Sequence, residues 1–247
     1  MIEILKAILF GIVEGVTEWL PVSSTGHIIL LDEFIFLQGS DEFKSMFDVV
    51  IQLGAILAVI VLFFHKLNPF APSKSAGEKK QTWDLWFKVV AAIIPSGVVG
   101  VLLDDWMDAH LHNAPVVAAM LVLYGAAFIF IERRQRENRR ARIQSAELID
   151  MHTALLIGLF QVLSLVPGTS RSGATILGGI LMGCSRAAAS EFSFFMSIPT
   201  MAGASLLKIL KFGLDFTAAE LVILLVGCVT AFVVSVVAIK TFIGYIK

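Results

Sequence analysis

The chain has 247 residues, of which 57% are hydrophobic and only 16% charged; its formal net charge is −1 and its mean hydropathy +0.85. That composition excludes an ordinary soluble domain, which needs a denser charged surface to stay in solution, and leaves an all-α polytopic membrane protein. Its two cysteines, Cys184 and Cys228, lie in apolar sequence with no CxxC or HxxxH spacing nearby, so they read as buried thiols and not as a disulfide or metal pair.

The first thirty residues carry Glu3, Lys6, Glu14 and Glu18 and lack a small-residue cleavage site, which predicts a structural segment and not a removable signal peptide. Residues 4–31 are apolar but interrupted by Pro21 and the Ser23-Ser24-Thr25-Gly26 run. Proline and the residue before it leave the helical region, so the stretch predicts two half-length helices joined by an irregular turn. Phe43–Phe64, Leu85–Leu103 and Ala114–Ile131 then approach the length of about 20 apolar residues that a crossing requires. Residues 152–183 are broken again, at Pro167-Gly168, and Glu191–Leu207 and Phe216–Ile239 supply two more crossings. The expected architecture is a single membrane domain over 1–247 with two re-entrant helical hairpins and about five full transmembrane helices.

Charge placement orients these elements. Arg133, Arg134, Arg136, Arg139, Arg140 and Arg142 cluster in 132–142, and Lys66, Lys74, Lys79 and Lys80 in 65–83. The positive-inside rule makes both loops cytoplasmic. Asp104, Asp105 and Asp108, and the acidic turn from Asp32 to Glu42, then face outward. Between two membrane segments the arginine run is a topology anchor, and no nucleic-acid partner is expected. Overlaying the halves, about 1–131 and 151–247 around a cytoplasmic Arg-rich linker 132–150, aligns Gly11–Glu14 with Gly158–Gln161, Pro21–Ser24 with Pro167–Ser170, and Phe47–Gln52 with Phe192–Ser197. By the charge map these are inverted repeats, which place a site near the midplane and are common in transporters.

The chemistry lies in the two polar interruptions. Glu14 and Glu18 are one helical turn apart on one face. Such a pair persists if a cation or a shared proton sits between the carboxylates, and Mg²⁺ or Ca²⁺ is the natural cation; a capping or water-facing acidic pair is the alternative. Ser23, Ser24, Thr25 and Gly26 offer hydroxyls, backbone N–H groups and a helix N-terminus suited to an anion. His27 either acts on a neighbouring hydroxyl or is merely hydrogen-bonded. Arg171, among Ser170, Ser172 and Thr175, has the fork geometry that suits phosphate, or forms a structural ion pair with Glu14 or Glu18. Together these groups point to phosphoryl chemistry.

The runs EGVTEWLPVSSTGH (14–27) and PGTSRSGAT (167–175) resemble the two signature motifs of the bacterial undecaprenyl pyrophosphate phosphatase family of the bacitracin-resistance type. The similarity extends over nearly the whole chain, including the helices around Phe47–Gly54 and Ile94–Gly97. The resemblance implies an undecaprenyl-diphosphate phosphatase that recycles the lipid carrier of cell-wall synthesis, embedded in the bacterial cytoplasmic membrane, with a divalent-metal-assisted site opening to the outer face. Matched by motif, Glu14 and Glu18 would handle metal or water, Ser24 would be the nucleophile, His27 its acid/base partner and Arg171 the diphosphate clamp. Ser23, Thr25, Gly26, Thr169, Ser170, Ser172 and Thr175 would bind substrate, a polyprenyl diphosphate lipid. The family pattern continues into a further C-terminal helix with a Tyr-Arg signature, whereas this sequence ends at Ile246-Lys247; either the chain is shortened or this member packs differently. A lipid or organic-anion transporter or flippase on the same inverted-repeat plan is the competing reading. A homodimer is admitted but not required by the sequence.

Overall fold

The computed structural model describes residues 1–35, 37–111, 113–137, 141–213 and 216–246. Arg139 and Arg140 of the predicted arginine anchor lie outside the described residues. The chain is helical, with no strand among the described residues. The first apolar stretch forms α1 (Ile2–Thr17) and α2 (Ser24–Asp32), separated by an irregular turn as the proline and serines predict. Next come α3 (Asp41–Val50) and α4 (Gln52–Leu62), the short α5 (Phe64–Leu67), α6 (Ala76–Leu111) and α7 (Ala114–Glu137). The second broken stretch forms α8 (Met151–Val162), a 3₁₀ turn (Leu163–Leu165) and α9 (Arg171–Leu181), followed by α10 (Arg186–Phe212) and α11 (Ala218–Ile246).

Five segments are long and apolar enough to cross a membrane: Asp41–Leu62, Ala76–Leu103, Ala114–Ile131, Arg186–Phe212 and Ala218–Ile246. They coincide with the five expected crossings, extended by a turn or more where polar residues continue the helix. The protein is a multi-pass membrane protein. Its outer flanks carry the apolar side chains that lipid requires, such as Leu102, Val122, Phe130 and Leu210, all exposed. α6 and α10 run through Pro95 and Pro199. A proline removes one intrahelical bond, and hydroxyls bond to carbonyls near these breaks: Ser96 Oγ donates to Ile93 O at 3.0 Å and Thr200 Oγ1 to Met196 O at 2.8 Å.

α1 packs on α11, α11 on α4, α8 on α6 and α9, and α10 on α3, α4 and α9. Two of these seams bring backbones into contact. A methyl on Gly54 would lie 2.0 Å from the Cys228 carbonyl oxygen of α11, and one on Gly158 would lie 2.0 Å from the Ala92 oxygen of α6. Close approach of this kind is how helices gain packing energy in lipid.

Residues 141–150, read from the sequence as part of a linker, are instead packed. Ser185 N donates to Ile143 O at 2.8 Å, and Ala146 and Ile149 are fully buried. Lys66 clamps this segment to α10 through Glu147 at 2.8 Å and Glu191 at 2.5 Å. Burial opposes the charge on both Lys66 and Glu147, yet the ion pairs prevail, holding the lysine above and the Glu147 carboxyl below their ordinary ranges.

The Gly158 seam is directly testable. Gly158→Ala forces α6 and α8 apart and should cost about 1–3 kcal/mol, read as a fall in Tm of several degrees in detergent. Gly97→Ala, on the same α6 but facing open space, should leave Tm unchanged or raise it slightly. Equal Tm values for the two variants would refute the close seam.

Candidate active site

The turns that end α1 and open α9 meet. Ser23 caps α2 with φ 65° and ψ 97°, a sparsely allowed conformation for a residue with a Cβ. Its hydroxyl accepts from Gly26 N at 3.2 Å, and its carbonyl accepts from His27 Nδ1 at 2.8 Å. The strained residue therefore fixes both the first turn of α2 and the His27 ring, whose Nδ1 faces the Ser23 carbonyl. Ser170 caps α9 in the same way, accepting from Gly173 N at 3.0 Å. The two turns are joined by Ser172 Oγ, which donates to Leu20 O at 3.0 Å. Trp19, fully buried, packs edge-on to Phe194 of α10 with ring centroids 5.1 Å apart and anchors the first turn from behind.

At this junction Ser24 Oγ donates to Glu18 Oε2 at 2.5 Å, and Glu18 Oε1 accepts from Arg171 Nη2 at 2.9 Å and Nε at 3.2 Å. Arg171 Nη1 donates to the Ser193 carbonyl of α10 at 3.0 Å. Of the five N–H bonds of a guanidinium, these contacts use three. Thr175 Oγ1 donates to Arg171 O at 2.9 Å and pairs with Ser193 Oγ at 2.7 Å, which fixes the first turn of α9 against α10.

A cavity of about 180 Å³ opens beside this chain of contacts. Of the predicted site residues, Glu18, Ser23, Ser24, Thr25, Thr169, Ser170 and Arg171 line it. Gly26, Ser172 and Thr175 support the turns, and His27 is half-buried with its ring on the Ser23 carbonyl. Glu14, 1% exposed, lies within hydrogen-bonding reach of Glu18, with no N–H or hydroxyl donor on either carboxylate oxygen and with Glu18, Asp48 and Arg171 as the charged groups around it. Thr169 Oγ1, buried in the cavity wall, is also without a partner. The sequence reading missed Gln52, Ser164 and Thr200, which also line the cavity, and the Ser193 carbonyl that Arg171 meets. The available signal was a polar side chain inside an otherwise apolar crossing: Gln52 starts α4, and Thr200 follows Pro199.

The profile of the bacitracin resistance protein BacA family matches residues 7–247. The chain belongs to this family. It is 58% identical over 248 residues to an undecaprenyl-diphosphatase of Enterococcus faecalis, covering 100% of this chain and 90% of the relative. A protein of the same name from Streptococcus thermophilus is 58% identical over 252 residues, covering 100% and 86%. One from Desulfitobacterium hafniense is 54% identical over 248 residues, covering 100% and 89%. The BacA family match therefore embraces both polar turns and every residue of the junction.

The sequence left Arg171 between a ligand clamp and an ion pair with either glutamate; in this structure its partner is Glu18. The pair is buried, with side chains 11% and 5% exposed. Removing one member strands the other charge, at a cost of about 3–5 kcal/mol. Glu18→Met and Arg171→Met should each lower Tm by roughly 6–20 °C, and the double replacement should recover most of the loss. Additive losses in the double variant would show that the two side chains are not coupled.

Proposed function

We infer that this chain hydrolyses undecaprenyl diphosphate to undecaprenyl phosphate and inorganic phosphate in the bacterial plasma membrane. The observation that carries this reading is the contact of the Ser24 hydroxyl, the Glu18 carboxylate and the Arg171 guanidinium at one cavity, in a family whose relatives are named for that activity. The same names favour the hydrolase over the transporter reading. The cavity holds a diphosphate headgroup, while the isoprene chain stays against the exposed apolar flanks of the helices.

Phosphoryl transfer needs positioning and charge neutralisation above all. The two unspent N–H groups of Arg171 and the opening amides of α2 and α9 are donors for the phosphoryl oxygens. The Ser23 and Ser170 hydroxyls already engage Gly26 and Gly173, so the anion meets the amides that precede them. Glu18 Oε2 accepts the Ser24 proton as the hydroxyl oxygen bonds to the terminal phosphorus and the bond to the bridging oxygen breaks, which releases undecaprenyl phosphate. Water then frees phosphate from Ser24, with His27 Nε2 as the base that receives its proton.

Glu14 has two buried, unpartnered oxygens, which fit a hard cation such as Mg²⁺ or Ca²⁺. Among the described residues no three His, Cys, Asp or Glu side chains converge as a ligand set. Glu14 and Glu18 would therefore hold the cation together with substrate phosphates, and the bound ion would neutralise charge on the transferring group. The two broken helix pairs, α1–α2 and α8–α9, are read as re-entrant, with the halves inverted and the cavity opening to the outer face.

The decisive measurement is phosphate release from a polyprenyl diphosphate by the purified chain in detergent. Arg171→Ala should lower the rate by about a hundredfold or more, and Arg171→Lys, lacking the planar fork, should recover little. Chelator should abolish activity and Mg²⁺ or Ca²⁺ restore it. Ser24→Ala should be nearly inactive, and acid quenching of the native chain should trap a phosphoenzyme; a tenth of the native rate in Ser24→Ala would instead assign the attack to water. Full turnover in excess chelator would remove the cation, and near-native turnover in Arg171→Ala would remove the site. For orientation, a cysteine at Ser73 should be labelled only from the cytoplasm and one at Asn113 only from outside; labelling of both from one side would overturn it.

A further inference from the structure

Gln161 of α8 is 1% exposed at the centre of the bundle and touches none of the groups assigned so far. Its Nε2 donates to Ser96 Oγ of α6 at 2.6 Å and to Thr200 Oγ1 of α10 at 3.3 Å. Both hydroxyls spend their own protons on carbonyls, Ser96 on Ile93 O and Thr200 on Met196 O, so what they present to Gln161 is lone pairs, which fixes the amide with its NH₂ toward them. The amide oxygen, Oε1, is buried and meets no donor of the protein. Only the NH₂ is used, and it holds two hydroxyl oxygens whose own protons are already placed. Helix packing asks only for shape at this position, which an apolar side chain also supplies, so the polar head has another reason.

The reason lies at Thr200. This side chain is partly open and lines the same cavity as Arg171 and Ser24. Its proton is bonded to Met196 O, in the turn that Pro199 interrupts. Rotation of the hydroxyl would turn that proton to an oxygen in the cavity while Gln161 Nε2 continues to donate to Thr200 Oγ1. A hydroxyl that accepts one hydrogen bond donates the next more strongly.

We propose that Thr200 is a phosphate-binding residue of the cavity and that Gln161 is the positioning residue behind it, forming a relay from Gln161 Nε2–H through Thr200 Oγ1–H to a phosphoryl oxygen. The proposal rests on the phosphatase reading for the identity of the anion. Thr200 then reaches the diphosphate from α10 while Arg171 and the amide groups reach it from α9 and α2, so that three helices hold the headgroup. Ser96 takes the second amide proton and keeps the glutamine from swinging away from Thr200.

The test compares Thr200→Val, Thr200→Ser, Gln161→Leu and the double variant Gln161→Leu/Thr200→Val. Each is read for Tm, for kcat and KM on polyprenyl diphosphate, and for affinity toward a non-hydrolysable methylene-bridged polyprenyl diphosphate. Thr200→Val should weaken analogue binding and lower kcat/KM by roughly tenfold to a hundredfold, with Thr200→Ser near native. Gln161→Leu should lower kcat/KM about fivefold to tenfold at an unchanged or raised Tm, and the double variant should be no worse than Thr200→Val alone. Multiplied losses in the double variant, a Gln161→Leu defect that tracks a lowered Tm, or native analogue affinity in Thr200→Val would each overturn the relay. If the native chain binds the analogue without hydrolysing the diphosphate, the phosphatase reading fails, and the analogue affinities alone decide the relay.

Discussion

The buried pair of Arg171 and Glu18 is the contact around which the molecule is arranged. A buried guanidinium without a partner is costly, and the chain avoids that by joining parts that are far apart in sequence. Arg171 opens α9, Glu18 follows α1, and the Ser193 carbonyl that completes the cage comes from α10. Once these are joined, the turns containing Pro21 and Pro167 have to face each other, the serine caps aim two helix starts at one space, and the Ser172 hydroxyl can reach the Leu20 carbonyl. Protein surrounds the irregular backbone of these turns, and Trp19 and Phe194 form part of that wall.

Polar groups in this interior fall into two kinds. The hydroxyls of Thr175 and Ser197 are bonded to carbonyls of their own helices and are electrostatically quiet. Among the described residues Glu14, Thr169 Oγ1, Gln161 Oε1, Trp19 Nε1 and Ser190 Oγ are buried with no protein partner. A native structure keeps few such groups. Three of the five residues adjoin one region: Thr169 lines the cavity, Glu14 has Glu18 among its charged neighbours, and Gln161 touches the cavity residue Thr200.

Much of this was legible in the chain. Apolar run length located the crossings because lipid imposes a thickness, and Pro21 and Pro167 located the breaks because each stands among Ser, Thr and Gly residues, whereas Pro95 and Pro199 are carried within α6 and α10. Ser170, directly before Arg171, was readable as the residue opening a helix. Pairing was harder to read: nothing local tells Arg171 to choose Glu18 over Glu14, since the two share a helical face and differ only in what surrounds them after folding. Lys66 finds Glu147 and Glu191 far along the chain, the latter 125 residues away. The density of arginines drew attention away from Ala146 and Ile149, whose burial makes 141–150 part of the packed body. Gln161, Ser96 and Thr200 are ordinary polar residues on three helices, and only their meeting gives them a role.

The seam between α1 and α11 has a bearing on biogenesis. α1 emerges from the ribosome early, yet its main neighbour is α11, whose residues 218–246 are made near the end of synthesis; Ser235 Oγ of α11 donates to Gly15 O of α1 at 3.4 Å. Glu18, just beyond the end of α1, is likewise made long before Arg171 of α9, its partner 153 residues further on, and the Ser193 carbonyl of α10 that completes the cage comes later still. During that interval its carboxylate lacks the guanidinium, and water or the insertion machinery has to shelter it. Nascent chains halted before α9 should thus hold an unassembled junction, and a quality-control protease that recognises unpaired charge in a membrane protein would have a clear mark by which to distinguish them from finished protein.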